Sequence, residues 1–177
     1  MGKIIAVEYV TLDGVFEEPA WSGPYFNDEL SSWQADNLKE ADALLLGRRT
    51  YEGFKAAWPQ MEAGTGDFGK KMNGMPKYVA TTTLTEPEWN AQFLQGDVAE
   101  AVGKLKTEPG SLLINGSASL VNLLTRHNLI DEYRIMVYPV VVGEGRKLWD
   151  EGTKVALKLA RSFTTTTGVE VITYLPA

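Results

Sequence analysis

Apolar residues fall into two rhythms along this chain. The first is the short unbroken run: Ile4-Ile5-Ala6-Val7 with Tyr9 and Val10 inside Lys3–Thr11, then stretches over 41–46, 77–81 and 112–114. Runs of this length without polar alternation fit strands covered on both faces. The second rhythm is helical. Leu30, Trp33 and Leu38 follow a cap at Asn27 or Asp28 and predict a helix to about Glu40. Val98, Ala101, Val102 and Leu105 follow a cap at Asp97 and predict a helix through Thr107. Leu120, Val121, Leu123 and Leu124 follow Ser117 and predict a helix to about His127, with Asn128 as its stop. Thr50–Ala57 reads as a short helix ended by Pro59, and 61–75, which has no clear period, as a surface loop.

Beyond residue 130 the pattern is all strand. Glu132–Val142 reads as one long strand, and Leu157–Phe163 and Val169–Leu175 as a hairpin turning at Thr167-Gly168. Alternating strands and helices followed by a strand-rich end predict an α/β fold in three layers, α/β/α. Its central sheet is mostly parallel and carries an antiparallel carboxyl-terminal edge hairpin. No repeat or linker divides residues 1–177, so one domain is expected.

Composition narrows the chemistry. There is no cysteine and one histidine, His127, which leaves no thiolate or multi-histidine metal site. His127, near a helix end, reads as a capping or surface residue. A net charge of −6 argues against nucleic acid as a partner. No run reaches the roughly 18 apolar residues of a membrane span, and no signal-like start is visible, so a cytoplasmic protein with no membrane partner is expected.

Two strand-to-helix junctions carry the candidate chemistry. The first, Leu46-Gly47-Arg48-Arg49-Thr50-Tyr51, places two guanidinium groups and a hydroxyl at a helix start; the second, Ile114-Asn115-Gly116-Ser117-Ala118-Ser119, places a glycine and a serine there. Helix starts offer free N–H groups and a positive dipole end to a phosphate, and arginine meets phosphate with a planar fork. Each junction by itself also reads as a plain glycine turn. Two in one domain suggest a dinucleotide held at both ends. Thr81 and Thr82, at the end of the third strand, could add hydroxyls to the same phosphate or simply lead into a turn. Asp13 beside Gly14 is a carboxylate at a strand's carboxyl end, placed to contact a ligand or relay a proton, or to make local turn contacts. Trp21, Tyr25 and Phe26 flank a Pro- and Gly-rich loop and could wall a flat ring or pin the loop to the core. Gly143-Glu144-Gly145 lacks the third glycine of a dinucleotide fingerprint.

In order and spacing, Thr11-Leu12-Asp13-Gly14, the two junctions, Lys77-Tyr78-Val79-Ala80-Thr81 and Leu129-Ile130-Asp131-Glu132-Tyr133 through Gly145 resemble the dihydrofolate reductase-like superfamily. The closer resemblance is to the carboxyl-terminal reductase domain of bifunctional riboflavin biosynthesis proteins. That resemblance implies NADPH as cofactor and reduction of a small pteridine- or pyrimidine-like heteroaromatic. The riboflavin-pathway reduction of 5-amino-6-(5-phosphoribosylamino)uracil is the named form. It implies that Gly47, Arg48, Arg49 and Thr50 hold the adenosine-side phosphates, with Thr81 and Thr82 near the 2′-phosphate. Asn115, Gly116, Ser117 and Ala118 would hold the pyrophosphate, Asp13 would act in catalysis, and the 15–25 loop would close over nicotinamide and substrate. Folate reductases carry an acidic residue on the first helix, and Asp28 and Glu29 lie near that region. Riboflavin enzymes carry a lysine where this chain has Val7. A non-catalytic nucleotide- or pterin-binding protein that keeps the fold is the alternative. A homodimer built on the strand-rich end is also expected, with 133–142 and the terminal hairpin offering a sheet edge.

Overall fold

The computed structural model describes residues 1–177. Its eight strands are β1 Lys3–Thr11, β2 Ala43–Gly47, β3 Lys77–Ala80, β4 Ala91–Phe93, β5 Ser111–Asn115, β6 Glu132–Tyr138, β7 Leu157–Thr164 and β8 Glu170–Pro176. They form one sheet in the order β4-β3-β2-β5-β1-β6-β8-β7. The first six in that order run parallel; β8 is antiparallel to β6, and β7 to β8. The helices are α1 Asp28–Glu40, α2 Arg48–Thr65, α3 Asp67–Gly74, α4 Val98–Leu105 and α5 Ala118–Arg126.

The sheet has a core on each face because the central strands are apolar on both. Ile5 and Val7 of β1 point into one core with Leu30 and Leu38 of α1, Tyr51 of α2 and Met72 of α3; Ile4 and Ala6 point into the other with Val102 of α4 and Leu120, Val121 and Leu124 of α5. This is the expected three-layer α/β/α arrangement with its antiparallel edge. The caps sit where the polar positions indicated: Asn27 accepts from Leu30 N, Asp97 accepts from Glu100 N, and Asn128 at φ 55 stops α5.

Several expectations need correction. Pro59 does not end α2, which runs on to Thr65, and 67–74 is α3 rather than surface loop. The proline removes one helical N–H, but Phe54 and Trp58 on α2 meet edge-on and Trp58 packs at a tilt on Phe68 of α3, which holds this part of α2 in place. β6 stops at Tyr138 instead of Val142, because Pro139 has no N–H for the ladder. β6 is also interior, between β1 and β8, so the free edge at this end is β7 alone. The three-residue edge strand β4 had no signal long enough to read. No helix is long and apolar enough to cross a membrane.

Lys77 is fully buried at the start of β3, its Nζ 3.8 Å from the centre of the Trp89 ring and donating to Asn73 O at 2.9 Å. Burial pushes its amine down to about 8, below the ordinary lysine range. The unfolded chain therefore holds this proton more tightly than the folded one. Stability should rise with pH from about 8 to the ordinary lysine value, and be flat below that window. Urea midpoints against pH check this, and Lys77→Met should remove the rise.

Candidate active site

One large cleft, ≈ 1270 Å³, opens at the carboxyl ends of the parallel strands. It lies where β1 and β5 part. The two pair from Lys3↔Ser111 to Val7↔Asn115, after which β1 continues against β6 alone as far as Thr11. A crevice at that point of a parallel sheet is where α/β folds take ligands.

The two junctions meet at the cleft and are tied by one hydroxyl. Ser117 Oγ accepts from Gly47 N at 2.8 Å and donates to Thr50 Oγ1 at 2.9 Å. Ser117 has left-handed backbone (φ 60, ψ 52) and its side chain does not cap α5. The first N–H groups of α5 thus lack both an intrahelical partner and a side-chain cap, and they open to the cleft. Gly116, at φ 67, lets the junction come close: a Cβ there would lie 3.2 Å from Thr50 Oγ1. A Cβ on Gly47 would likewise meet Ser117 Oγ at 3.4 Å.

Arg48, Arg49 and Arg146 line the cleft. Arg48 Nη1 is 3.0 Å from Glu52 Oε2, while Arg49 is exposed and makes no ion pair. Arg146 lies 2.9 Å from Ser119 Oγ on the first turn of α5, near Asp150 and the Phe16 ring. In the sequence Arg146 follows Gly143-Glu144-Gly145 with no local signal of a site.

Gly47, Arg48, Arg49, Thr50, Asn115, Gly116, Ser117, Ala118 and Phe26 all line this cleft, so the structure brings both junctions together. It places other expected residues elsewhere. Thr81 Oγ1 accepts from Thr83 N and Leu84 N in a tight turn, and neither Thr81 nor Thr82 reaches the lining. Trp21 and Tyr25 pack edge-on against Tyr138, pinning the loop to the core. Asp13 also lies outside the lining. Its carboxylate accepts from Thr11 Oγ1 and from Gly143 N at 2.9 Å, and those bonds, Thr11 foremost, hold it below the ordinary aspartate range. It ties two loops together. Asp28 is exposed and Glu29 bonds Thr166, so α1 presents no acid to the cleft.

What α1 does present is Ser31, Gln34, Ala35 and Leu38, a stripe at helical spacing. The lining also takes Phe54 and Trp58 of α2 and Phe68 and Met72 of α3, an apolar wall. From β1 come Tyr9, whose hydroxyl accepts from Gln34 Nε2 at 2.8 Å, and Glu8. Glu8 is 1% exposed, and its Oε1 has no partner. Burial drives its carboxyl well above the usual range despite a bond from the Gly116 N–H. A glutamate inside an otherwise apolar strand was the signal available for it in the sequence.

The sequence pattern of the RibD C-terminal domain matches residues 2–171. The "Uncharacterized protein YyaP" of Bacillus subtilis (strain 168) is 31% identical over 176 residues, covering 97% of this chain and 94% of that protein. Among solved structures, the Thermotoga maritima diaminohydroxyphosphoribosylaminopyrimidine deaminase/5-amino-6-(5-phosphoribosylamino)uracil reductase superposes with a TM-score of 0.70 at 14% identity. The match covers 99% of this chain and 57% of that one. The Enterococcus faecalis dihydrofolate reductase, complexed with NADP(H), superposes with a TM-score of 0.66 at 14% identity, covering 98% and 96%. At these identities the two structural likenesses are of fold.

Proposed function

We propose that this chain, which belongs to the RibD C-terminal domain family, is an NADPH-dependent reductase of a small, flat, pteridine- or pyrimidine-like compound. The observation that carries this reading is the pair of helix starts tied through Ser117 Oγ and opening on one cleft that ends in an aromatic wall. The reductases among its structural neighbours, one of them complexed with NADP(H), support it. Reduction of 5-amino-6-(5-phosphoribosylamino)uracil is the specific form the Thermotoga neighbour suggests.

The residues present fit a dinucleotide. Gly47 and Gly116 leave room where a Cβ would crowd the opposite junction, and the Ala118 end of α5 offers amides to a pyrophosphate. Asn115 and Ser117 flank those amides. Arg48 and Arg49, with Thr50, stand at the other phosphate position. Thr81 and Thr82 lie beyond the lining, so in this reading the two arginines carry recognition of the 2′-phosphate. Bound NADPH supplies the hydride. The protein orients the ring between Phe26, Phe54, Trp58 and Phe68 and excludes water, and Glu8, the carboxyl in the cleft wall, is the candidate group to exchange a proton. Asp13, fixed between loops, acts at a distance by holding the 140s segment over β1. A cytoplasmic homodimer belongs to the same reading. Its supporting surface is β7, where Leu159, Phe163 and the neighbouring Leu175 are 56%, 40% and 39% exposed.

Calorimetry with NADPH and NADH side by side tests the reading. NADPH should bind in the micromolar range and NADH much more weakly. Arg49→Ala should cost NADPH about 1–3 kcal/mol and leave NADH nearly unchanged, with Arg48→Ala costing less because Glu52 already holds that guanidinium. Equal losses for both cofactors would remove the 2′-phosphate role, and binding of neither would overturn the reading.

A further inference from the structure

A chain of hydrogen bonds runs from the buried guanidinium of Arg134 on β6 to the cleft. Arg134 Nη1 donates to Asn37 Oδ1 at 2.6 Å, Asn37 Nδ2 donates to Gln34 Oε1 at 3.1 Å, and Gln34 Nε2 donates to Tyr9 Oη at 2.8 Å. The direction of this chain is forced from its start. Arginine has donors and no acceptor, so the Asn37 atom facing it is the oxygen. The amide nitrogen of Asn37 must then face Gln34, which turns the Gln34 oxygen toward Asn37 and the Gln34 nitrogen toward Tyr9. An amide nitrogen cannot accept, so the Tyr9 oxygen accepts, and its single proton has to point elsewhere. Tyr9 lines the cleft, and no group of the protein takes that proton.

We propose that Tyr9 is a fixed hydrogen-bond donor to the ring bound in the cleft. It selects rings that present an oxygen acceptor on that edge over rings that present amino or N–H groups. This rests on the reductase reading, which seats the substrate ring in the cleft that Tyr9 and the α1 stripe also line. An amino group brought to this point meets a hydroxyl proton that cannot turn away without breaking the bond from Gln34. The α1 face offers no carboxylate to accept from such a ring in its place: Ser31, Gln34, Ala35 and Leu38 are all uncharged. The substrate class is therefore an oxo-heterocycle, with a lactam or imide carbonyl facing Tyr9. A protonated diaminopyrimidine edge is rejected.

Two small probes of one ring size test it: 6-aminouracil, which carries two carbonyls, and 2,4,6-triaminopyrimidine, which carries none. Each is titrated by nitrogen-15 NMR into the protein saturated with NADP+, and NADP+ binding is itself followed by calorimetry. The wild type should bind 6-aminouracil at least about tenfold more tightly. Tyr9→Phe should erase that preference while the NMR spectrum keeps its folded dispersion. Gln34→Glu is the sharper variant. The introduced carboxylate would still accept from Asn37 with one oxygen but would take the Tyr9 proton with the other, leaving the Tyr9 lone pairs to face the ring. The preference should then reverse toward the triamino ring. The same change in a Tyr9→Phe background measures what the added charge does without the hydroxyl, and a reversal of equal size there would overturn the proposal. So would NADP+ binding with no preference in the wild type, or a preference that Tyr9→Phe leaves intact. If NADP+ itself fails to bind, the reductase reading falls and takes this inference with it.

Discussion

Arg134→Met should lower the unfolding free energy by roughly 3–5 kcal/mol, the cost of leaving a buried charge without its partner. Arg134 and Glu132 are each 4% exposed on β6, with Nε 2.7 Å from Glu132 Oε1. Nη2 reaches Glu40 Oε2 at 2.9 Å and Nη1 reaches Asn37, so one side chain bolts α1 to the sheet. Removing it strips Glu132 of its main partner and leaves Lys3 and the more exposed Arg161 to hold the carboxylate. Methionine fills the volume, so the loss reports the charge and not a cavity. Urea denaturation monitored by tryptophan fluorescence measures it; a loss under about 1 kcal/mol would mean that Lys3 and Arg161 suffice. The pH dependence has a fixed sign. Burial alone would raise the Glu132 carboxyl, but the bonds from Arg134 and Lys3 outweigh it and hold it below its ordinary value. The stability this group contributes is therefore complete above the ordinary glutamate range and is lost as pH falls through the lower folded value.

Gly116→Val should abolish dinucleotide binding, with an affinity loss of about a hundredfold or more. The backbone at 116 is left-handed, and a β-branched residue is strained there by about 1–2 kcal/mol before any contact is counted. Its Cβ would also come 3.2 Å from Thr50 Oγ1 and 3.4 Å from Thr50 Cγ2, at the pinch where the junctions meet. The valine methyls add to this crowding, and relief by displacing Thr50 strains the Ser117 bridge and moves the α5 amides from the ligand. Two charge-assisted bonds lost at about 1.5 kcal/mol each exceed the hundredfold mark. Calorimetry with NADPH reads this directly. Circular dichroism shows whether the fold survives. A folded variant that binds within a few-fold of the wild type would mean that the ligand's phosphates do not sit at Gly116.

Much of this was legible in the chain because it follows from local rules. The apolar runs of β1, β2, β3 and β5 have no polar alternation, since each strand is covered on both faces. Asn27, Asp97 and Asn128 mark helix ends by side-chain and backbone chemistry that acts within four residues. The junction glycines show for the same reason. What stayed hidden depends on contacts distant in sequence. Helix α2 runs on past Pro59 with its aromatic residues packed on α3, and nothing local announces that. Asp13 looks like a cleft carboxylate until the 140s segment returns to donate Gly143 N to it, 130 residues later. Tyr9 and Glu8 become notable only once β1 and β5 part. Even then Glu8 had a sequence signal, a charge in a run with no exposed face, whereas the role of Tyr9 depends on Arg134, Asn37 and Gln34, drawn from two other elements. The α1 stripe at 31, 34, 35 and 38 is periodic but mixes polar and apolar residues, so a search for buried leucines and tryptophans passes over it.

The parting of β1 from β5 also splits the sheet at its carboxyl end. Strands β4, β3, β2 and β5 lie on one side and β1, β6, β8 and β7 on the other, four and four, joined along a seam of five residue pairs at one end only. Beyond Val7 and Asn115 no ladder bond joins the two sides. The glycine junctions after β2 and β5 are on one side, and Glu8, Tyr9 and the loops after β1 and β6 are on the other. Whatever spans the cleft bridges the two sides beyond the point where ladder bonds join them.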